Sequence, residues 1–320
     1  MSQAYSALLP SGETNYPNIW RNGEIIPWES ASIHVTAVGH ASVSSVFEGI
    51  KGYYNAEQDQ LYVFRLREHM KRFVDSVRLV SHSMPFGLEE LERGILDLLR
   101  ANDVREDVYI RPWMFAKDSG RRVMVPAGTE AEVVIDMWPF TSHLLTATGS
   151  RVCVSSWTRL ADNQMAPRIK AFSNYHNGRM AILEAERNGY DTAIMLNEQM
   201  KVAEGPGACL GMIRGGVFHT PTVTSGILES ITRDAFITLV PEVLGIPVKE
   251  RDMDRTELYL AEELFFMGTG REISPIIEVD GFKVGKGEPG PHSRKLAVAY
   301  NALVRGTDDG YPEWRTPVHT

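Results

Sequence analysis

The spacing of apolar residues divides the first half of the chain into strands and helices. The stretch IWRNGEIIPW contains Asn22-Gly23, a dipeptide that tolerates positive φ at both central turn positions, and it predicts a β-hairpin. SVFEGIKGYY and QLYVFRL then flank a polar turn. Spacings of four and three predict a helix with the stripe Leu66, Met70, Phe73, Val77 and Val80, and a second with Leu88, Leu91, Ile95 and Leu98. The β-branched and aromatic stretches DVYIRPWMFA and AEVVIDMWPF predict strands.

The second half opens with a predicted strand, RVCVSSW. A helix is predicted from about residue 174 to 187, stopped by Gly189. Two hairpins are predicted, one turning at Gly215-Gly216 and one at Asp280-Gly281. A helix ending at Gly245 lies between them, and the last helix carries the stripe Leu296, Tyr300 and Leu303.

Strands occur in runs with helices between them, which favours an α+β fold with two subdomains over a regular βαβ array. The periodicity lapses around TSHLLTATGS, where we place the domain boundary. We therefore predict a small N-terminal α/β domain over residues 1–140, an interdomain loop over 141–150 and a large C-terminal domain over 151–320.

The composition narrows the classes of function. Of the 320 residues, 43% are apolar and 23% are charged, as in a soluble globular protein. The net charge of -8 and the lack of a basic run argue against nucleic-acid binding. No apolar stretch approaches the ~18 residues of a membrane span, and we find no signal peptide. Two cysteines, Cys153 and Cys209, make neither a disulfide framework nor a zinc site, so we predict a cytoplasmic protein.

Several familiar motifs are excluded by their context. EGPGACLG is followed by a predicted hairpin, whereas a dinucleotide-binding loop needs a helix after its glycines, so we interpret it as a tight turn with close backbone approach. MGTGRE lacks the lysine of a P-loop, although its backbone N–H groups are suited to an anion. The nine histidines form no metal-binding pair or cluster, and no GxSxG elbow occurs.

Lys170 stands in a short loop, within RIKAFSNYHNGRMAI, between a strand and a helix that are both predicted to be buried. A solvated surface lysine is the ordinary interpretation. The helix, however, carries Met180, Ile182 and Leu183 on more than one side, which would partly desolvate a lysine at its start. Burial favours the neutral amine, which attacks carbonyls and forms Schiff bases.

The usual partner of such a lysine is pyridoxal phosphate, which sets three further requirements. Its ring nitrogen needs an acid, its ring oxygen a donor, and its phosphate a helix N-terminus with a cation. The candidates are Glu204 for the nitrogen, Tyr175 for the ring oxygen, and Ile231 and Thr232 with either Arg65 or Arg233 for the phosphate. Periodicity leaves open whether these residues meet, and Glu204 has an ordinary alternative as a solvated turn residue.

Seven stretches together resemble a known family: SVFEGI, VFRLREHM, YIRP, VSSW, AEGPG, SITRD and GTGREISPI. In this order and spacing they are similar to the branched-chain-amino-acid aminotransferases, which are fold-type IV pyridoxal-phosphate enzymes. The resemblance covers nearly the whole chain. It implies the two-subdomain α+β architecture of that fold type, the cofactor pyridoxal 5'-phosphate and at least a homodimer.

The resemblance also implies a role for each matching residue. Lys170 would form the Schiff base and shuttle the proton. The other cofactor-binding residues would be Tyr175 at the ring oxygen, Glu204 at the pyridinium nitrogen, and Arg65, Ile231, Thr232 and Thr269 at the phosphate. The substrate would meet Phe47, Tyr109, Arg111, Phe140, Gly270 and Arg271. Arg111 suits a distal carboxylate such as that of glutamate, because a planar guanidinium pairs with it bidentately.

The chain departs from the family pattern at three places. Ser42 and Val43 stand where Tyr-Gly is common, so an aromatic hydroxyl that lines the pocket is missing. Phe140 stands where tryptophan is common. GTGRE replaces GTAAE, and the added Arg271 either supplies a cation at the rim or points to solvent. The departures leave the cofactor chemistry intact and bear on the choice of substrate.

These observations leave three alternative hypotheses for the function. The first is an aminotransferase that moves an amino group from a branched-chain amino acid to 2-oxoglutarate by a ping-pong mechanism through Lys170. The second keeps the fold and cofactor but acts on (R)-amines or D-amino acids, or as an aminodeoxychorismate-type lyase; Ser42 and Arg271 motivate it, whereas YIRP argues for the first. The third is a non-catalytic binding protein, against which the presence of both Lys170 and Glu204 argues.

Overall fold

The computed structural model describes residues 15–37, 43–117 and 124–319. They form two compact units. The first contains the described residues up to Thr141 together with those from Tyr311 onward, and the second is Ser142–Gly310. The last residues were predicted to belong to the C-terminal domain, whereas the structure has them in the first unit, because the strand Arg315–Pro317 pairs there with residues 62–64.

The first unit contains an antiparallel sheet of eight strands. They are β1 (Asn18–Arg21), β2 (Glu24–Pro27), β3 (Val46–Phe47), β4 (Ile50–Asn55), β5 (Gln60–Phe64), β6 (Val108–Ala116), β7 (Ala131–Pro139) and β16 (Arg315–Pro317). The order is β16-β5-β4-β6-β7-β1-β2, and β3 pairs with β6. The predicted hairpin at Asn22-Gly23 is confirmed, with φ of 48° and 95° at its two turn residues.

The described part of this unit also contains the helices α1 (Leu66–Leu79) and α2 (Leu88–Ala101). The predicted stripe of α1 is confirmed, since Met70, Phe73 and Val77 are fully buried. On β6 and β7 the residues alternate. Val108, Ile110 and Met114 are buried on one face, whereas Tyr109, Arg111 and Trp113 are half-buried on the other. This second face carries side chains that solvent and ligands can reach.

The second unit contains a mixed sheet of eight strands. They are β8 (Ser150–Val154), β9 (Thr192–Ile194), β10 (Cys209–Arg214), β11 (Val217–Thr220), β12 (Val248–Glu250), β13 (Glu263–Gly268), β14 (Glu272–Val279) and β15 (Phe282–Lys283). The order is β12-β11-β10-β13-β14-β8-β9, and β15 pairs with β14. The hairpins predicted at Gly215-Gly216 and Asp280-Gly281 are confirmed.

The helices of this unit are α3 (Phe172–Arg187), α4 (Ile231–Leu244), α5 (Arg255–Leu258) and α6 (Pro291–Val304). Helix α3 contacts β9, and α4 packs against α6 and β13. The predicted stop of α4 is confirmed, because Gly245 caps it in the left-handed conformation with φ of 70°. Within the described residues, no helix has the length and hydropathy needed to cross a bilayer.

Candidate active site

The loop that carries Lys170 is held by the first turn of α3. The Asn174 side chain donates hydrogen bonds to the carbonyls of Ala166 (3.1 Å) and Ile169 (3.0 Å). Asn174 is itself buried, and the Ala171 N–H bonds to the Ile169 carbonyl at 2.8 Å. The backbone on both sides of Lys170 is therefore fixed. Asn174 was not among the predicted site residues, because its partners are backbone carbonyls of the preceding loop, which apolar spacing does not reveal.

Lys170 is buried, with 9% of its surface exposed. Its Nζ donates a hydrogen bond to the Tyr175 Oη at 2.6 Å and lies 5.0 Å from the centre of that ring. Because Tyr175 lies one turn into α3, the helix carries the hydroxyl back over the loop. The structure thus brings together the two side chains that the sequence assigned to the Schiff base and the ring oxygen.

Glu204 is a buried carboxylate, which requires compensation by hydrogen bonds and a countercharge. Its Oε1 accepts a hydrogen bond from Arg159 Nε at 2.7 Å. Its Oε2 accepts from the Leu228 N–H at 3.3 Å and from the Cys209 Sγ at 3.7 Å. Burial, followed by the charge of Glu204, raises the pKa of the Cys209 thiol, which keeps it a donor. Glu204 is therefore fixed from three sides and is not a solvated turn residue.

Arg159 and Cys209 were both missed by sequence reasoning. Arg159 is 45 residues from Glu204, so no local pattern connects them. Cys209 was considered only for disulfides and metals. Its position five residues after Glu204 in EGPGACLG is the one signal that the sequence offered.

The turn after Glu204 is as tight as its glycines predict. The Gly205 N–H donates to the Ala208 carbonyl at 2.8 Å. A Cβ atom on Gly205 would lie 2.5 Å from the Phe266 ring, and one on Gly178 would lie 2.5 Å from the Pro206 carbonyl oxygen. Both glycines are needed for close packing. The turn is therefore pressed against α3, the helix that carries Tyr175.

Helix α4 begins at Ile231, and Thr232 is its second residue. N–H groups at these first positions of a helix have no intrahelical acceptor, which suits them to a phosphate. The Ser230 hydroxyl caps the helix by accepting from the Arg233 N–H at 3.2 Å. The Leu228 N–H donates a hydrogen bond to Glu204, and α4 begins only three residues after Leu228. The start of this helix is therefore tied to the Glu204 carboxylate by a short segment.

Arg65 and Arg233 were the alternatives for the phosphate. The Arg233 guanidinium is buried, where it donates to Thr220 Oγ1 (3.1 Å) and the Pro221 carbonyl (2.7 Å) and pairs with Glu250 (2.5 Å). These contacts give Arg233 a structural role. Arg65 therefore stays the predicted phosphate ligand.

Arg65 lies at the start of α1 in a left-handed backbone conformation, with φ of 47°. Trp314 holds it twice, since the Trp314 carbonyl accepts from the Arg65 N–H at 2.7 Å and the guanidinium lies 5.0 Å from the ring centre. Arg65 Nε also donates to Glu68 at 2.8 Å. The C-terminal segment thus fixes the direction of this arginine.

Thr269, Gly270 and Arg271 form the turn between β13 and β14. Thr269 is half-buried, whereas Gly270 and Arg271 are exposed. Arg271 nevertheless lines a cavity of about 160 Å³ together with Tyr175 and the Glu204 turn from Gly205 to Ala208. Arg271 is thus exposed and also lines this cavity, and its role at the substrate rim stays a prediction.

The predicted substrate residues of the first unit share one face of its sheet. Phe47 on β3 is opposite Trp113 on β6, two residues along from Arg111. The Tyr109 ring stacks on Trp138 at 4.8 Å and contacts Phe140 at 5.6 Å between ring centres. The structure therefore brings Tyr109 and Phe140 into contact, whereas Arg111 lies two residues along β6 from Tyr109 and Phe47 is opposite Trp113, a further two residues along.

Gly49 is what allows Tyr109 to lie there, since a Cβ atom on Gly49 would be 1.8 Å from the Tyr109 hydroxyl oxygen. Of the family departures that precede it, Val43 is exposed, and Ser42 lies outside the described residues. Lys51, which sequence reasoning missed, is directly opposite Tyr109 in the pairing of β4 with β6. Its ammonium is buried 4.7 Å from the centre of the Phe140 ring.

Arg111 forms a bidentate ion pair that the sequence analysis did not predict. Its Nε donates to Asp136 Oδ1 at 3.0 Å and its Nη2 to Oδ2 at 2.5 Å. Burial lowers the pKa of Arg111, but the charge of Asp136 and its hydrogen bonds outweigh this effect and raise it. The guanidinium assigned to a substrate carboxylate is thus already engaged by a carboxylate of the protein.

Comparison with known proteins identifies the family. The sequence profile of Amino-transferase class IV matches residues 45–279. The chain belongs to the class IV aminotransferases. The aminotransferase resemblance of the seven motifs is therefore confirmed, and so is the expectation of an enzyme.

Three individual relatives show how close the likeness is. A probable branched-chain-amino-acid aminotransferase of Aquifex aeolicus is 39% identical over 297 residues, which cover 93% of this chain and 95% of that protein. The holo, PLP-form structure of the Thermobaculum terrenum branched-chain amino acid aminotransferase has a TM-score of 0.93 at 45% identity, covering 96% of this chain and 99% of that chain. The T.th. branched-chain amino acid aminotransferase complexed with N-(5'-phosphopyridoxyl)-L-glutamate has a TM-score of 0.87 at 36% identity, with coverages of 95% and 99%.

These likenesses confirm the expected α+β, fold-type IV architecture of this class IV aminotransferase. They do not test the role of any single residue. The assignments to Lys170, Tyr175 and Glu204 accordingly stay predictions, to which the structure adds their burial and contacts.

Proposed function

We propose that the protein transfers the amino group of a branched-chain amino acid to 2-oxoglutarate by a ping-pong mechanism, with Lys170 as the catalytic residue. The observation that carries this proposal is the hydrogen bond of the buried Lys170 to Tyr175, in the same unit as the buried, arginine-paired Glu204. The likeness to branched-chain-amino-acid aminotransferases supports a branched-chain donor, and the phosphopyridoxyl-glutamate complex of the T.th. enzyme supports glutamate and 2-oxoglutarate as the second pair.

The cofactor is pyridoxal 5'-phosphate, and the residues of the described site fit it. Lys170 Nζ would hold it covalently as a Schiff base. The ring oxygen would take a hydrogen bond from Tyr175, and the ring nitrogen would pair with Glu204. The phosphate would be bound by the residues Arg65, Ile231, Thr232 and Thr269. The cradle is close-packed, because Gly178 and Gly205 leave no room for a side chain beneath the Glu204 turn.

When bound, the cofactor supplies an electron sink for the α-carbon of the amino acid. Lys170 Nζ would carry the α-proton of the donor from the α-carbon to the cofactor within the first half of the transfer, and would carry a proton back to the α-carbon of the acceptor in the second half. Tyr175 orients that nitrogen through the 2.6 Å hydrogen bond. Arg159 and Cys209 hold Glu204 still, so that its carboxylate need not reorganise during the reaction. Phe47 and Tyr109 would contact the hydrophobic side chain of the donor.

A second function keeps the fold and the cofactor but takes (R)-amines or D-amino acids, or carries out an aminodeoxychorismate-type lysis. The observation that favours it is the Arg111–Asp136 pair. A site whose arginine is neutralised suits an amine without a distal carboxylate. The missing aromatic at Ser42 points in the same direction.

The visible absorption spectrum of the protein with pyridoxal phosphate tests both functions. We expect a cofactor band that L-leucine bleaches quickly and (R)-1-phenylethylamine bleaches slowly. Lys170→Ala should remove the covalent band while the fold, measured by circular dichroism, is retained. Lys286→Ala changes an exposed lysine of the same unit and is the matched control.

A band that responds only to the (R)-amine would replace the first function by the second. A covalent band that survives Lys170→Ala would contradict the assignment of Lys170.

We also expect a homodimer or a larger homo-oligomer, which sedimentation velocity of the cofactor-bound protein would detect. The cytoplasmic location stays a prediction, with Cys153 and Cys209 both buried and free.

A further inference from the structure

We propose that Asp136 is a specificity-determining residue, which weakens the binding of substrates with a distal carboxylate by neutralising Arg111. The inference rests on the proposed function, because it concerns how the acceptor is selected at the same enzyme. It differs from the expectation for Arg111 alone, which would make this face of the sheet attractive to glutamate and 2-oxoglutarate.

The pairing follows from the register of the sheet. Arg111 on β6 and Asp136 on β7 are directly opposite each other in an antiparallel pair of nine matched positions. Opposite residues on one face have neighbouring Cβ atoms, so the two side chains meet without distortion. Both oxygens of Asp136 contact the guanidinium, through Nε and Nη2. One planar edge of the guanidinium fork is therefore occupied by the protein itself.

The surroundings of Arg111 and Asp136 strengthen the electrostatic interactions of both charges. The Arg111 side chain is 35% exposed and that of Asp136 is 21% exposed. The guanidinium lies 5.1 Å from the centre of the Trp138 ring, which excludes water from one side. Charges interact more strongly here than in bulk solvent. A substrate carboxylate that approaches Arg111 would also meet the like charge of Asp136, whereas an aliphatic side chain would meet a nearly neutral pair.

The pair is not needed to hold the sheet together. Nine consecutive backbone pairings already join β6 to β7. An uncharged residue at position 136 should therefore fold, and its effect should be seen in ligand selection.

The test measures the binding of glutarate and of 4-methylpentanoate to the cofactor-bound protein by isothermal titration calorimetry. Neither ligand reacts, and they differ in the distal carboxylate. We expect Asp136→Asn to bind glutarate about tenfold more tightly than the parent, with 4-methylpentanoate changed less than twofold. Asp136→Ser, which also lacks the charge, should act in the same direction. The KM for 2-oxoglutarate should fall in parallel, whereas that for 4-methyl-2-oxopentanoate should not.

Glu130→Gln is the matched control, because Glu130 pairs with Lys117 at 2.8 Å near the other end of the same two strands. It should leave both affinities unchanged. The gain in glutarate binding should vanish in Arg111→Gln/Asp136→Asn if it works through Arg111.

Unchanged or weaker glutarate binding in both Asp136 variants would overturn the proposal. Asp136 would then orient the Arg111 guanidinium without weakening the binding of a substrate carboxylate. A gain that persists without Arg111 would overturn it too. Failure of the proposed function looks different, since the parent protein would then show no spectral response to L-leucine. Glutarate binding would still report on Asp136 in that case.

Discussion

Two regions of the molecule are built in different ways. The Lys170 region belongs to the second unit and contains Lys170, Tyr175 and Glu204. The Tyr109 face belongs to the first unit and contains Phe47, Tyr109, Arg111 and Phe140. Lys170 and Glu204 are buried in loops; Asn174 fixes the backbone beside Lys170, and Arg159 is one of three groups that hold Glu204. Tyr109 and Arg111 lie on a strand, half-buried, and are placed by cross-strand register. The loops of the Lys170 region thus fix their side chains by hydrogen bonds from several elements, whereas the charge of the sheet face depends on single residues of the neighbouring strand.

The Tyr109 face nevertheless has a rigid support of its own, a cluster of Glu48, His69 and Arg72. Glu48 is fully buried between Phe47 and Gly49. It accepts from Arg72 Nε at 2.7 Å and from Arg72 Nη2 at 2.8 Å, and it lies 2.8 Å from His69 Nδ1. Burial alone would raise the pKa of Glu48, but Arg72 and His69 lower it from 4.5 to about 2.

The largest expected effect comes from breaking this cluster with Glu48→Gln. Removal of one partner of a buried ion pair costs about 3–5 kcal/mol, so the free energy of unfolding measured in urea should fall by that order. Because the folded-state pKa of Glu48 is lowered, its contribution is complete above about pH 4.5 and is lost as the pH falls towards 2. The loss caused by the substitution should therefore shrink over that range.

Glu89→Gln is the control for this substitution, because Glu89 pairs with Arg67 at 3.2 Å on the exposed surface. We expect it to change stability little at any pH. An equal loss at pH 7 and pH 3 in Glu48→Gln would show that the charge of Glu48 is not what stabilises the folded state.

A second, smaller effect should come from the other region, with Gly205→Ala. The added Cβ would lie 2.5 Å from the Phe266 ring, and forcing such a group into a packed site costs about 1–3 kcal/mol. Since the turn carries Glu204, we expect weaker retention of the cofactor, measured by equilibrium dialysis. Gly207→Ala in the same turn is the control, because its Cβ would meet Tyr175 at an ordinary 3.7 Å. Equal cofactor retention in the two variants would remove the packing argument.

Sequence reasoning reached the elements of both regions because their signals are local. The stripe of Met70, Phe73 and Val77 and the turn at Asn22-Gly23 specify their structures within a few residues. Lys170 and Glu204 were reached through short motifs and through family resemblance. The stripe, the turn, Lys170 and Glu204 could all be predicted because the residues next to each of them in the sequence form a recognisable pattern.

The partners of these residues were not reached, because they depend on register and tertiary packing. Asp136 is 25 residues from Arg111 and meets it only through the alignment of β6 with β7. Arg159 reaches Glu204 across 45 residues. Glu48 belongs to the motif SVFEGI, but no role was predicted for it. Its ion pair depends on α1, which brings Arg72 to it in the folded protein. Charges that are neutralised by distant residues are thus the part of a site that a single sequence does not reveal.

The most local change, Tyr175→Phe, sharpens the comparison because it removes a hydroxyl group from the Lys170 region and leaves the packing of the ring in place. Loss of the hydroxyl leaves Lys170 Nζ without its 2.6 Å contact, while the ring continues to cover the amine at 5.0 Å. A hydrogen bond to a charged or reacting group contributes about 1.5–3 kcal/mol, so kcat should fall roughly 10- to 100-fold with L-leucine. The KM for L-leucine should stay nearly constant, because the Tyr109 face is untouched. Tyr190→Phe, at a half-buried tyrosine of the same unit, should be neutral. A rise in KM with kcat preserved would mean that Tyr175 binds the substrate instead of orienting the amine, and the division between the two regions would then have to be redrawn.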